Sequence, residues 1–159
     1  MKKELEFNEI IFDILKNDKF ISLKYEKHHG ISRLEHSLNV AKMAYYFSKI
    51  IGLKKYKEIT RAALLHDFYN DSELEGEISL INHPKVAADN AKKVFNVSSF
   101  EYNMIKSHMF PLTFCLPNNY GSLILTLTDK IVATYEMLMY KLPLYTGTYY
   151  LLLTKILLK

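Results

Sequence analysis

An all-α fold follows from three features of the 159-residue sequence. Apolar residues recur at helical spacing in most segments. Start and stop signals bracket those segments. Alternating, β-branched runs are scarce, the short "FISLKY" at 20–25 being the exception.

Residues 4–17 carry Leu5, Phe7, Ile10, Ile11, Ile14 and Leu15, a broad stripe that predicts an amphipathic first helix. Glu4, Glu6, Glu9 and Asp13 break the same stretch, which makes it a poor signal peptide. Residues 18–31, with "YEKHHG", read as a connection. "SRLE" at 32–35 matches a capping box and opens a helix to about Ile51, with Leu34, Leu38, Ala41, Ala44, Tyr45, Ser48 and Ile51 along one side. Gly52 stops it.

A third helix is expected over 55–66, ending at His66-Asp67, and then an acidic loop, "YNDSELEGEISL". In "NHPKVAADNAKKVF", Asn82 is a plausible cap and Pro84 suits a first turn. Ser98 to Glu101 forms a second capping box, opening a helix that ends at His108. "MFPLTFCLPNNYG" is a loop with two prolines. A helix from Ser122 to Tyr140 carries Leu123, Leu127, Ile131 and Met137, with Thr134 between. The apolar tail after Lys141 is interrupted by Pro143, Gly147 and Lys155 and falls short of the ~20 residues of a membrane span. It predicts a packing helix over about 147–158, or a contact between copies of the chain.

Length suits one domain, 1–159, with a motif-bearing core over about 29–137. The 49% hydrophobic content suffices for a core, and the net charge of +4 suits a phosphate-bearing ligand or simply a lysine-rich surface. Lys and Arg do not cluster with aromatics, so no nucleic-acid platform is evident, and no membrane contact is expected. The single cysteine, Cys115, excludes an intramolecular disulfide and a thiolate zinc cage, and fits a reducing, cytoplasmic setting.

The polar residues that interrupt or terminate apolar helical stretches are His36, His66, Asp67, His83, His108 and Asp129. Taken singly, His36 reads as a surface residue, His83 as a helix start and His108 as a helix end. Asp129, inside "ILTLTDKIVATYE", is costly in apolar surroundings unless it is paired or ligating. Together, four imidazoles and two carboxylates are the donor set of a divalent transition metal, and six donors suit two ions sharing a carboxylate. A helical bundle can assemble such a set from facing helices.

The ordered His36, His66-Asp67 and Asp129, within "HHGISRLEHSLNVAKMA" and "RAALLHDF", resemble the HD-domain superfamily of metal-dependent phosphohydrolases over about His29 to Glu136. The resemblance implies an all-α HD helical bundle, divalent metal and phosphate-ester hydrolysis. His83 before Pro84 and the later His108 are similar to the subset with a two-metal site, as in HD-GYP phosphodiesterases. No Gly-Tyr-Pro segment follows His108, and Phe68-Tyr69 follow His66-Asp67 where a lysine is common, so the chain looks closer to small, stand-alone bacterial HD hydrolases.

On this resemblance two ions (Fe, Mn, Co, Ni, Zn or Mg) are expected. Asp67 bridges them, His36, His66 and Asp129 complete one shell, and His83 and His108 complete the other. A metal-activated hydroxide then cleaves a phosphate mono- or diester, a nucleotide or small phosphate ester, with Asp67 and His66 at the catalytic centre. Arg33 and Lys130 are candidate phosphate-binding cations, and His29 a candidate for the mouth of the site. The alternatives are a diiron oxygenase on the same fold and a non-catalytic, metal-stapled binding or signalling module.

Overall fold

Seven α-helices and two short 3-10 turns make up the computed structural model, which describes residues 2–28, 30–74 and 79–157. His29, residues 75–77 of the acidic loop and residue 158 of the expected last helix lie outside the described residues. In chain order the helices are α1 (Lys2–Leu15), α2 (Asp18–Ile21), α3 (Arg33–Ile50), α4 (Tyr56–Leu65), α5 (Ser79–Phe95), α6 (Ser99–Ser107) and α7 (Tyr120–Leu157). Between α2 and α3 the chain forms a 3-10 turn, Ser22–Tyr25, where "FISLKY" suggested extended backbone. A minimal antiparallel hairpin follows, β1 (Lys27–His28) and β2 (Ile31–Ser32). Gly30 at its tip has φ +100, and the ring of Tyr140 on α7 lies where a Cβ would stand, so only glycine fits there.

Helix ends follow the local chemistry closely. The Ser32 side chain accepts from the Glu35 amide to start α3, although only this half of the capping box forms. At the other end Gly52, φ +73, donates to the Lys49 carbonyl and Leu53 to that of Ser48, the two bonds of a Schellman motif. Ser98 and Glu101 complete the full reciprocal box before α6. Asn119 Oδ1 accepts from the Ser122 amide at the start of α7.

α4 is the central element. Ile59, Thr60, Ala62, Ala63, Leu64 and Leu65 are all fully buried, because the helix packs against α3, α6, α1 and α7. Small residues on α3 and α4 (Ala41 and Ala44, Ala62 and Ala63) let the two backbones approach. α1 closes over this pair with Phe7, Ile10, Ile11 and Ile14, part of the stripe expected from its spacing. Its polar edge is pinned by Glu6, which accepts from Tyr45 Oη (2.8 Å), Lys49 Nζ (2.7 Å) and Tyr56 Oη (2.5 Å). Arg61 on α4 donates to both oxygens of Asp13.

Four expectations need correction. The buried face of α3 is Arg33, His36, Ser37, Val40, Ala41, Ala44, Tyr45 and Ser48, while Leu34 and Leu38 sit at its margin and Ile51 is exposed. α5 begins at Ser79, so Asn82 does not cap it and Pro84 lies inside the helix, forgoing the bond to the Leu80 carbonyl. α7 runs unbroken through Pro143 and Gly147 to Leu157. A proline's own φ is helical, and a long helix tolerates one missing backbone bond.

The fourth correction concerns which face of α7 is buried. Its interior residues are Ser122, Leu125, Thr128, Asp129, Val132 and Glu136, whereas Leu123, Leu127, Ile131 and Met137 are exposed by 40–57%. Among the described residues no helix is long and apolar enough to cross a membrane.

Two measurements test this account. Urea unfolding should show Leu125→Ala losing about 2–5 kcal/mol, as for a buried leucine, while Leu127→Lys stays within about 0.5 kcal/mol of the parent. The reverse order would return the apolar stripe to the core. The Glu6 carboxyl is lowered from an ordinary 4.5 to about 2 by its bonds to Lys49, Tyr56 and Tyr45. A lowered folded-state value stabilises above the unfolded value and is lost as pH falls through the folded one. The urea midpoint should therefore drop between pH 4.5 and about 2 more steeply for the parent than for Glu6→Gln.

Candidate metal centre

Two of the histidines stand where helices end. His66 is the C-cap of α4 and His108 the C-cap of α6. The last carbonyls of a helix lack intrahelical donors. Nδ1 of His66 donates to the Ala63 carbonyl and Nδ1 of His108 to that of Ile105, both at 2.7 Å. Each bond fixes the tautomer and leaves Nε2 as a lone-pair donor aimed away from the helix.

His36 is presented from the second turn of α3 and is fully buried. Its Nδ1 lies 2.7 Å from Glu136 Oε2 and its Nε2 lies 3.2 Å from Asp129 Oδ1, both carboxylates on one face of α7. His83, on the second turn of α5, brings Nε2 to 3.2 Å from His108 Nε2 and 3.5 Å from Asp67 Oδ1. Asp67, just past α4, also stands 3.8 Å from Nε2 of His66 and of His108. All six residues singled out in the sequence thus converge from α3, α5, α7 and the ends of α4 and α6, each 7% exposed or less. His66 and Asp67 both enter because α4 ends there and the chain turns beneath the cluster, the Phe68 and Tyr69 amides bonding back to Leu65 and Asp67.

The donors fall into three overlapping groups: His36, His66 and Asp67; His66, His108 and Asp129; and Asp67, His83 and His108. Within each group the ligand atoms lie within 4.8 Å of one another. Donors about 2.1 Å from an ion stand about 3.0–3.4 Å apart in octahedral or tetrahedral shells, close to the 3.2–3.8 Å separations here. Nε2 of His66 is buried, has no hydrogen-bond partner among the described residues, and lies 3.6 Å from Asp129 Oδ1. A lone pair held dry between two carboxylates is what a cation completes, so the donor set fits divalent metal.

The charges share this logic. Burial lowers the His36 imidazole, but bonds to Asp129 and Glu136 and the charge of Asp67 outweigh it and raise the group to about 10. Burial likewise opposes, and the Asp67 and Asp129 carboxylates reverse, the shift of His66, which is raised. His108 is lowered to about 3 by burial and by neighbouring His66. Asp129 is held well below its ordinary 3.8 because the bond from His36 and the closeness of His66 outweigh its burial. Without an ion, the cluster's carboxylates hold a proton on His36 in the place of metal charge.

The cluster floors a cavity of about 810 Å³ reached between Asp67, His83, His108 and Asp129. Lys130 lies on its wall, 3.4 Å from the His108 carbonyl. Arg33 also faces the cavity but is 3% exposed, donates to the Tyr69 carbonyl (2.9 Å) and Asp71 (2.8 Å), and stacks 3.9 Å from the Tyr69 ring. It braces the wall. Sequence reading missed Lys27 of the hairpin, Tyr69, Met109 and Leu112 on the wall, and Glu136 behind His36. Nothing in the local sequence marks Lys27. Glu136 was legible only as a second acidic residue seven positions after Asp129, on the same helical face.

Comparison with known proteins agrees with this geometry. Residues 33–134 match the HD domain family. Ribonuclease Y of Mycoplasma capricolum subsp. capricolum is 35% identical over 106 residues, 67% of this chain and 19% of that protein. Ribonuclease Y of Ureaplasma parvum serovar 3 is 32% identical over 115 residues, 70% of this chain and 21% of its own length. The chain therefore spans about a fifth of the curated relatives it matches. No solved structure matches it significantly.

Asp67→Ala removes the carboxylate that touches most of the cluster. Calorimetric titration with Mn²⁺ should show binding to the parent and none to the variant, with helical circular dichroism kept. A ligand at 100 times its Kd stabilises by about 2.7 kcal/mol, so Mn²⁺ should raise the parent's melting temperature and leave the variant's in place. Unchanged metal response in a folded Asp67→Ala protein would remove the centre.

Proposed function

The chain belongs to the HD domain family, and from that premise we propose that it is a divalent-metal-dependent phosphohydrolase acting on a phosphodiester of nucleotide type. The observation that carries the reading is the convergence of His36, His66, Asp67, His83, His108 and Asp129, with Asp67, His83, His108 and Asp129 lining a cavity whose wall also carries lysines.

In this reading the six residues would hold two divalent ions, Asp67 among the ligands. Bound ions would activate a water and offset charge on the phosphoryl oxygens. The rest is done by the chain. The Nδ1 bonds of His66 and His108 keep their rings from turning, so both lone pairs are in place before substrate arrives. Lys130 and Lys27, both on the cavity wall, offer ammonium groups to phosphate oxygens. Arg33, held by Tyr69 and Asp71, contributes positive potential without moving. Tyr69, Met109 and Leu112 give an apolar surface suited to the base or sugar of a nucleotide. Among the described residues no serine or cysteine lines the cavity, so a direct displacement is favoured over a covalent route.

The relatives are ribonucleases by name, which makes an RNA phosphodiester the first substrate to test. The Mn²⁺-loaded protein should hydrolyse bis-p-nitrophenyl phosphate and a short RNA oligonucleotide, lose both activities in EDTA, and act poorly on p-nitrophenyl phosphate. Hydrolysis of small nucleotides but not of RNA would keep the chemistry and move the substrate. A metal-loaded protein inert towards every ester would end the proposal. A charged hydrogen bond is worth about 1.5–3 kcal/mol, so Lys130→Ala should raise KM for the diester by about 10–100-fold with metal binding unchanged.

A further inference from the structure

Glu136 is 7% exposed, an acidic side chain on the buried face of α7. A buried carboxylate is costly unless its lone pairs are used. Oε2 stands 2.7 Å from Nδ1 of His36, and Oε1 accepts from Nδ2 of Asn39 at 2.8 Å. His36 and Asn39 are three residues apart on α3, one above the other, so a single carboxylate reaches both. Asp129, seven residues earlier on α7, reaches the other nitrogen of the same ring. The His36 imidazole is thus held at both ends by α7, and the two ends differ. Asp129 lies in the donor cluster, whereas Glu136 lies behind the ring, outside every group of converging donors.

The backbone supplies the corresponding bond elsewhere in the cluster. Nδ1 of His66 and of His108 is satisfied by a carbonyl three residues back, which is available because each stands at a helix C-terminus. His36 sits near the start of α3, where carbonyls behind it are committed to the helix, and cannot use that device. A carboxylate from another helix takes its place.

We propose that Glu136 is a positioning residue for the metal centre: by accepting from Nδ1 of His36, and being fixed in turn by Asn39, it sets the ring's tautomer and aims Nε2 at the ion. A carboxylate behind a ligating imidazole also makes the ring a stronger donor than a carbonyl does. The proposal rests on the metal-binding reading of the six residues, and the test separates the two.

Co²⁺ titration, followed by its visible absorption, reports affinity and ligand field together, with no substrate present. Glu136→Ala should bind Co²⁺ about 10–100-fold more weakly at the ion held by His36, with an altered spectrum. Glu136→Gln keeps an oxygen that accepts the Nδ1 proton, and should recover most of the affinity and the parent band positions. Asn39→Ala should fall between parent and Glu136→Ala. If Glu136→Ala does not fold, the Gln variant decides: a spectrum unlike the parent's, with affinity as poor as that of an Asp129→Ala protein, would deny that an acceptor at this place suffices. Parent-like affinity and spectrum in a folded Glu136→Ala protein would overturn the proposal while leaving the metal centre intact. Failure of the parent itself to bind Co²⁺ would overturn both.

Discussion

Six ionisable side chains buried within a few ångströms of one another are the constraint around which this molecule is organised. Taking one charge out of water costs several kcal/mol even after relaxation, and no greasy surrounding could tolerate the set as separate groups. The fold meets the cost by giving nearly every polar atom a fixed partner. Helix-terminal carbonyls take two of the imidazole N–H groups, Glu136 takes a third, and the two aspartates face Nε2 of all four rings. What remains is an inward-facing array of lone pairs, and a divalent cation neutralises it better than protons do. The cluster and the fold are therefore one problem: α3, α4 and α7 meet where they do because His36, the end of α4, and Asp129 with Glu136 must share one space.

The same constraint explains where the pattern of apolar residues misleads. Helical spacing identified α1, α3, α4 and α6, and local signals the caps of α3 and α6: Ser98 bonds an amide three residues away and Gly52 relaxes its own backbone. It also picked out all six clustered donors, since a His or Asp set into apolar sequence stands out. The faces of α3 and α7 were less legible. The rule that apolar residues face the core assumes an apolar core, and here part of the interior is the site. α7 turns Ser122, Thr128, Asp129 and Glu136 inward and leaves Leu123, Leu127 and Ile131 outside. A stripe of leucines reads as a core face only when no costlier group competes for the interior.

Residues whose role depends on long-range partners were the least visible. Glu136 meets a histidine 100 positions away, and Lys27 comes to the cavity on a two-residue strand that no periodicity predicts. Arg33 shows the converse. It was singled out for its place near His36, yet its guanidinium is tied to the Tyr69 carbonyl and Asp71. A cation's position in sequence says where its backbone is; only its partners say whether its donors remain for a substrate.

These arrangements divide the labour between rigid and adjustable parts. Ligand rings are pinned by bonds behind them, on helices whose contacts with one another are dry and tightly packed. The lysines on the cavity wall, by contrast, stand on flexible stems, Lys27 on the hairpin and Lys130 on α7. Metal chemistry tolerates little displacement of its donors, since ligand distances vary by only tenths of an ångström, while substrate contacts must accommodate the movement of a phosphoryl group through its reaction. Two of the four histidines stand at helix ends and two within α3 and α5, so helix geometry holds the donors in place while the lysines of the wall keep the freedom of their stems.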